Sequence, residues 1–329
     1  MKYFGPLMAL AGLALAAVLV AREDVSRILD LVMASGPGMI LAASFHVLPM
    51  ALNARAWRRL LPGPARPSAR VMTWAVWVRE SVNGLLPVGR IGGEIVAYRL
   101  LRRHGAGRAH AAASLVGDVT LSILSQATFA ALGLGLLLAT RGKTGLVAQL
   151  LIGLVTIVPL ALVFVLVQRA GAFQVVSRLV DKLAAGRLRS IVHESVQLDR
   201  AVWAVYQRRR DAGACFVWQF AGWLAGAGEI WLALYFLGQQ RDVLDAIMIE
   251  ALIQALSSAA FVVPGALGVQ EGGFMLIGAA LGMDGSTALA LAAARRLRDL
   301  TIFFPGIIAW QRDEARGRVL KRAKASESL

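Results

Sequence analysis

Several apolar runs in this chain reach 18 residues or more, and no other feature narrows the fold as far. A helix of that length crosses the ~30 Å hydrocarbon core of a bilayer. Of 329 residues, 57% are hydrophobic and 17% are charged, against the ~25% charged of soluble domains. The sequence therefore predicts an all-α, polytopic membrane protein. The net charge of +15 would suggest nucleic acid in a soluble chain. Here the arginines crowd into short loops, where they set topology, so no nucleic-acid partner is expected. Cys215 is the single cysteine, which leaves no internal disulfide. His46, His104, His110 and His193 are scattered without metal-ligand spacing. No soluble catalytic signature is present, and neither a metal nor a cofactor is expected.

The loops give the order of spans. Tyr3 to Ala21 reads as a first span entering from the cytoplasm. Its apolar run is too long for a signal-peptide core, and no small-residue cleavage site closes it. Residues 22–37 hold two arginines and three acids, and a second span runs from Gly38 to Ala54. Arg55, Arg58, Arg59, Arg66 and Arg70 then follow without an acid, a cytoplasmic signal. Later spans are expected at His110–Thr140, Leu146–Gln168, Cys215–Leu237 and Ala288–Trp310. Between them, residues 169–211 carry nine basic and four acidic side chains. Phe173, Val176, Val180 and Leu183 recur there at helical spacing, which predicts an amphipathic helix on the cytoplasmic leaflet. The tail at 311–329 has six basic and three acidic residues, so both termini are expected in the cytoplasm.

Two segments do not fit a single span. Val71 to Leu101 is interrupted by "NGLLPVGRIGGE", Asn83 to Glu94. Each half is about 15 residues, or ~22 Å of helix, too short to cross. Arg66 and Arg70 precede the segment, and Arg102, Arg103 and Arg108 follow it. Basic flanks at both ends predict a re-entrant hairpin; a single kinked, tilted helix with a basic amphipathic tail is the alternative. Irregular backbone at that depth must be sheltered by protein or line a cavity. Val243 to Met283 is broken likewise by "VPGALGVQEGG", with non-basic flanks that fit the outer side.

The two breaks share a spacing. Glu94 lies seven residues after Pro87, and Glu271 lies seven after Pro264. Each half of the chain reads span, span, hairpin, span, starting from opposite sides. That is an inverted-topology repeat, a plan common in transporters. The expected organisation is six spans and two re-entrant hairpins. The first repeat covers 1–145, with its hairpin at 71–101. The second covers 146–310, with its hairpin at 243–283, and the basic tail follows at 311–329. Asp118 lies 31 residues after Pro87 and Arg295 lies 31 after Pro264. Opposite charges at matching places are expected to pair near the pseudo-two-fold axis.

Arg79, Glu80, Arg90, Glu94, Asp118, Glu229, Glu250, Glu271, Arg295, Arg296, Arg298 and Asp299 all fall in membrane segments. Each costs roughly 2.5–3.5 kcal/mol at a helix centre on insertion scales, so they must pair, snorkel or line a hydrated cavity. Plainer roles exist for several. Arg79 and Arg298 are long enough to snorkel, and Glu94 and Glu271 suit half-helix N-termini. Arg295 and Arg296 suit structural ion pairs. Trp74, Trp77, Trp203, Trp218 and Trp223 suit interfacial anchoring. A functional reading joins these residues. Each returning half-helix starts at a hairpin apex, where free N–H groups attract anions and glycine admits close approach. Arginines nearby suit phosphate or carboxylate. The candidate substrate-binding set is Glu80, Asn83, Arg90, Glu94, Asp118, Glu229, Gly265, Gly268, Glu271, Arg295 and Arg296.

"ESVNGLLPVGRIGGEIVAYRLLRRHG" (Glu80 to Gly105), "VPGALGVQEGG" (Val263 to Gly273) and "ALAAARRLRDLTIFFPGIIAW" (Ala290 to Trp310) carry a family resemblance. Together they resemble the flippase-like transmembrane domain of lysylphosphatidylglycerol synthases and its stand-alone relatives. The "GVQEGG" form looks most like the branch associated with hopanoid biosynthesis. The resemblance implies translocation of a lipid, anionic or hopanoid-type, between leaflets of a bacterial inner membrane. Full synthases carry a C-terminal soluble domain that transfers an aminoacyl group from tRNA. Only 19 residues follow Trp310 here, so synthesis of aminoacyl lipids is not expected. Two other readings stand beside transport: an assembly factor for lipid-biosynthetic enzymes, and an intramembrane enzyme acting on a head group. The partners expected are a membrane lipid and, beyond it, a second copy of the chain or such enzymes.

Overall fold

The computed structural model describes residues 4–23, 25–63, 66–86, 92–142, 189–259, 263 and 266–327. Every regular element among them is helical. In chain order these are α1 (Phe4–Ala21), α2 (Val25–Ala34), α3 (Gly36–Ser44), α4 (Val47–Leu60), α5 (Ala69–Leu85), α6 (Gly92–Arg103) and α7 (Arg108–Arg141). After the undescribed stretch come α8 (Arg189–Gln207), α9 (Arg209–Phe236), α10 (Val243–Ala259), α11 (Val269–Ala280) and α12 (Gly285–Arg298). A π-helical segment (Asp299–Phe303) joins α12 to α13 (Phe304–Glu327). The span expected at Leu146–Gln168 and the amphipathic pattern from Phe173 to Leu183 lie outside the described residues.

Prolines explain the interruptions. Pro49 has no N–H to give the carbonyl of Phe45, four residues back. Leu48 N–H donates to that carbonyl instead, at 3.0 Å, and His46 N–H reaches Ala43 O at 3.2 Å. These three-residue bonds tighten one turn and separate α3 from α4 at Phe45–His46. The stretch Gly36–Leu60 is otherwise one apolar rod long enough to cross a membrane, as is Arg108–Thr140. Pro305 likewise withholds a donor, and the widened π turn stands just before it. Trp77 Nε1–H donates to Ile302 O within that turn, at 2.7 Å.

The two interrupted segments each fold back as a helical hairpin. In the first, α5 has 17 residues and α6 has 12; in the second, α10 has 17 and α11 has 12. A Cβ added at Gly93 would lie 2.4 Å from the Arg79 carbonyl, so only glycine lets α6 approach α5 this closely. In the second hairpin, a Cβ at Gly273 would meet Leu256 at 2.5 Å. Gly268, at φ +74°, turns the chain into α11.

Contacts sort the described junctions into two sets. Arg208 donates to Leu60 O and Leu61 O, Arg66 meets Asp211 at 3.5 Å, and Arg103 reaches Glu314 at 2.7 Å. These gather the α4–α5, α8–α9 and α6–α7 junctions with the start of the tail. Arg27 meets Asp284 at 3.7 Å, and Arg241 donates to Leu281 O at 2.8 Å, which gathers the α1–α2, α9–α10 and α11–α12 junctions. Two apolar clusters fill the helix bundle. One joins α2, α3, the end of α7, the end of α9, α10, α11 and α12 around Met39, Leu234, Ile253 and Phe274. The other joins α4–α6, the start of α7, α8 and the start of α9 around Trp57, Met72, Leu100 and Cys215. Buried carboxylates and guanidinium groups lie where the two clusters meet.

Three expectations change. The helix that carries the span expected at Cys215–Leu237 starts earlier, at Arg209, because α9 continues into its basic flank. Residues 189–207 of the amphipathic insert pack on α7, with Val202 and Val205 buried and Val205 set against Gly117. Trp77 and Trp223 tie helices together through Ile302 O and Ser125 Oγ rather than serving as anchors alone.

Candidate functional site

The first group of charges hangs on hairpin α5–α6. Asp118, 1% exposed, accepts from Arg79 Nη1 at 2.6 Å and from Gln219 Nε2 at 2.8 Å. The Arg79 guanidinium lies 4.9 Å from the Trp57 ring, so the cation has a carboxylate and an aromatic face. At the apex, Asn83 Oδ1 accepts from Gly93 N–H at 2.9 Å, and its Nδ2 donates to both Glu94 oxygens at 3.1 Å. One side chain thus caps the return helix and holds its acid. Of the N–H groups expected to be free at the start of α6, Asn83 thus occupies that of Gly93.

The second group centres on α12. Arg295, 2% exposed, is bound by Glu250, itself held by Gln254 Nε2 at 2.7 Å. Arg298 lies 3.6 Å from Glu229, bonds Asp299 at 3.1 Å, and sits 5.1 Å from the Phe303 ring. Arg296 Nε donates to Glu271 Oε1 at 2.9 Å, and its Nη2 lies 2.8 Å from the same oxygen as an ion pair. Glu271 Oε2 is buried without a hydrogen-bond partner among the described residues. Arg296, with its side chain 25% exposed, is the most accessible arginine beside Glu271, Glu250 and Glu229.

The expected Asp118–Arg295 pair does not form. Each is matched inside its own half by the first arm of its own hairpin: Arg79 on α5 for Asp118, Glu250 on α10 for Arg295. The polarity is reversed between the halves. Glu94 and Glu271 sit in the first turns of α6 and α11 as their spacing implied. Glu80 and Glu229 are brought together, and Gly268 turns the chain beside Glu271. Arg90 and Gly265 lie outside the described residues.

Sequence reasoning passed over His46, Asn53, Gln219 and Gln254. His46 Nδ1 lies 2.9 Å from Glu229 Oε2 and its Nε2 lies 3.4 Å from Glu80 Oε2, while Asn53 Nδ2 donates to Glu80 Oε1 at 3.3 Å. A signal for His46 was available: Pro49 breaks its apolar run as Pro87 breaks the next. The described charges of these two groups and the His46 trio are seven carboxylates (Glu80, Glu94, Asp118, Glu229, Glu250, Glu271, Asp299) and four arginines (Arg79, Arg295, Arg296, Arg298). No group of three or more His, Cys, Asp or Glu side chains among the described residues is placed to hold a metal ion. The arrangement is suited to binding and exchanging protons and ionic partners.

A helical bundle with ion pairs buried between its helices, two of its rods apolar and long enough to cross a bilayer, fits a membrane protein with a polar interior. The model of the lysylphosphatidylglycerol synthase TM region matches residues 8–307, and the chain belongs to that family. No curated protein and no solved structure gives a match to it.

Proposed function

We propose that this protein moves an amphiphilic lipid, anionic or hopanoid-type, between the leaflets of a bacterial inner membrane, without altering it chemically. The observation that carries this reading is the pair at α11 and α12. Glu271 presents a buried oxygen with no described partner, and Arg296 stands beside it, partly exposed. A head group with an anionic group and a donor matches both. It would draw Arg296 from Glu271 and Asp299 in passing, so its binding is an exchange of ion pairs rather than the filling of a free cation site. The surplus of described carboxylates favours such exchange over tight anion capture.

The architecture fits. The equal arm lengths of the two hairpins support two re-entrant elements in inverted repeats. The excess of arginine in the junction set bearing Arg66, Arg103 and Arg208 supports a cytoplasmic side for it, and the tail, tied to that set by Arg103, goes with it in this reading.

The test is exchange of a fluorescent phospholipid in proteoliposomes, per folded protein. Glu271→Gln keeps size and an accepting oxygen but loses the charge that holds Arg296. Glu271→Gln and Arg296→Gln are each expected to slow exchange by at least about tenfold with the fold retained. Exchange near the wild-type rate in both would remove the site from this pair. A new lipid product would make the protein an enzyme instead, and inertness on both counts would favour an assembly factor.

A further inference from the structure

We propose that His46, held between Glu80 and Glu229, binds a transportable proton that drives the lipid movement; its coupling role rests on the translocation reading above. The argument is a count of donors. His46 Nδ1 faces Glu229 Oε2 at 2.9 Å, and Nε2 faces Glu80 Oε2 at 3.4 Å. An ionised carboxylate only accepts, and a neutral imidazole has one donor. Glu229 Oε1 lies 3.6 Å from Arg298 and 3.9 Å from Arg295, and both cations favour its anion. Nδ1 therefore donates to Glu229. On a neutral ring, Nε2 would then aim a lone pair at the Glu80 carboxylate. A second ring proton removes that conflict and gives each carboxylate a donor.

The surroundings close the count. Asn53 from α4 donates to Glu80 Oε1, and the Phe303 ring stands edge-on to the imidazole at 5.6 Å between centroids. The exposed side of the trio is that of Glu80: its side chain is 22% exposed, that of His46 12% and that of Glu229 5%. In this state the proton reaches the imidazole past Glu80, and to drive transport it leaves on the other side in the opposite state of the cycle. The three groups also join the halves of the chain. Glu80 stands on the first arm of one hairpin, three residues before the Asn83 clamp, and Glu229 belongs to α9. Loss of the proton sets His46 and Glu80 against each other, which frees the first hairpin from α9.

Full-length protein in lipid nanodiscs, labelled with ¹⁵N-histidine, tests the site directly; His46 is assigned by the signal missing in His46→Gln. At pH 7 the wild-type ring is expected to carry protons on both nitrogens. In Glu80→Gln the amide donates to Nε2, so the ring is expected to carry one. A singly protonated wild-type ring overturns the proposal even where the variant fails to fold, and so does a doubly protonated ring in both proteins. In vesicles, an imposed pH gradient is expected to change the wild-type lipid exchange rate at least about threefold, and not to change that of Glu80→Gln. A rate indifferent to the gradient overturns the coupling. Absence of any wild-type exchange overturns the translocation reading, and the ring then decides the proton site alone.

Discussion

A buried guanidinium needs a counter-charge, and Arg79 has one. It is bound to Asp118, which Gln219 also holds, and it lies over Trp57. Removing one partner strands a buried charge, so Arg79→Ala and Asp118→Ala are each expected to cost on the order of 3–5 kcal/mol. The double alanine should cost less than the sum, and additive losses in a double-mutant unfolding cycle would argue against the contact. The same cycle on Asp118 and Arg295 is expected to be additive. The sequence could show that these charges need partners, because hydropathy alone demands it. It could not show which, because an equal offset from two prolines relates residues by symmetry and not by proximity. Amide side chains such as Gln219 carry no charge to draw notice, yet they complete the site.

At the scale of elements, the hairpins depend on approach distance. Gly93→Ala would drive a methyl group into the Arg79 carbonyl and the Asn83 side chain. A loss of about 1–3 kcal/mol is expected, read by unfolding of the purified protein. The start of α12 gives a gentler test. Asp284 caps it by accepting from Thr287 N–H at 3.0 Å and Thr287 Oγ–H at 2.8 Å. Burial alone would raise its pKa, but these bonds, with Arg27 nearby, hold it below the ordinary value. A depressed carboxylate stabilises the fold above its unfolded pKa and loses that contribution as pH falls through its folded pKa. The cap therefore weakens only in acid, and Asp284→Ala, costing about 0.5–2 kcal/mol at neutral pH, should cost less there. The breaks at Pro87 and Pro264 were legible because glycine and proline crowd them. The break at Pro49 and the π turn before Pro305 were not read, because a lone proline in a long apolar run does not say how far the helix recovers.

At the scale of the molecule, the contacts that gather the junctions predict sidedness. With Cys215 replaced, cysteines at Ser68 and His104 should react with an impermeant reagent from the cytoplasmic side. Cysteines at Gln240 and Asp284 should react from the other. Opposite labelling of Ser68 and His104 would make the first hairpin a crossing helix. The helical class and membrane residence followed from run length, which is a whole-chain property. The meeting of Glu80 with Glu229 did not, since residues so far apart in the chain are joined only by packing of the two apolar clusters.

The π turn at Asp299–Phe303 has a geometric consequence. A π turn is an α-helix with one residue too many, so it rotates everything beyond it by roughly 100° relative to an unbroken helix. The rod from Gly285 onward therefore works like a keyed shaft with an offset joint: its α12 faces hold the arginines in the interior, and the offset sets which face α13 shows to α5. Deleting Leu300 would straighten the joint. Gly306, whose missing side chain admits Ser81 and Trp77, would keep its place against α5, because the π turn already holds it where a helix one residue shorter would. One alanine inserted after Leu300 would instead turn Gly306 away by roughly 100° and set a larger residue against that helix, so the insertion, not the deletion, should part α13 from α5 while the arginine pairs upstream stay intact.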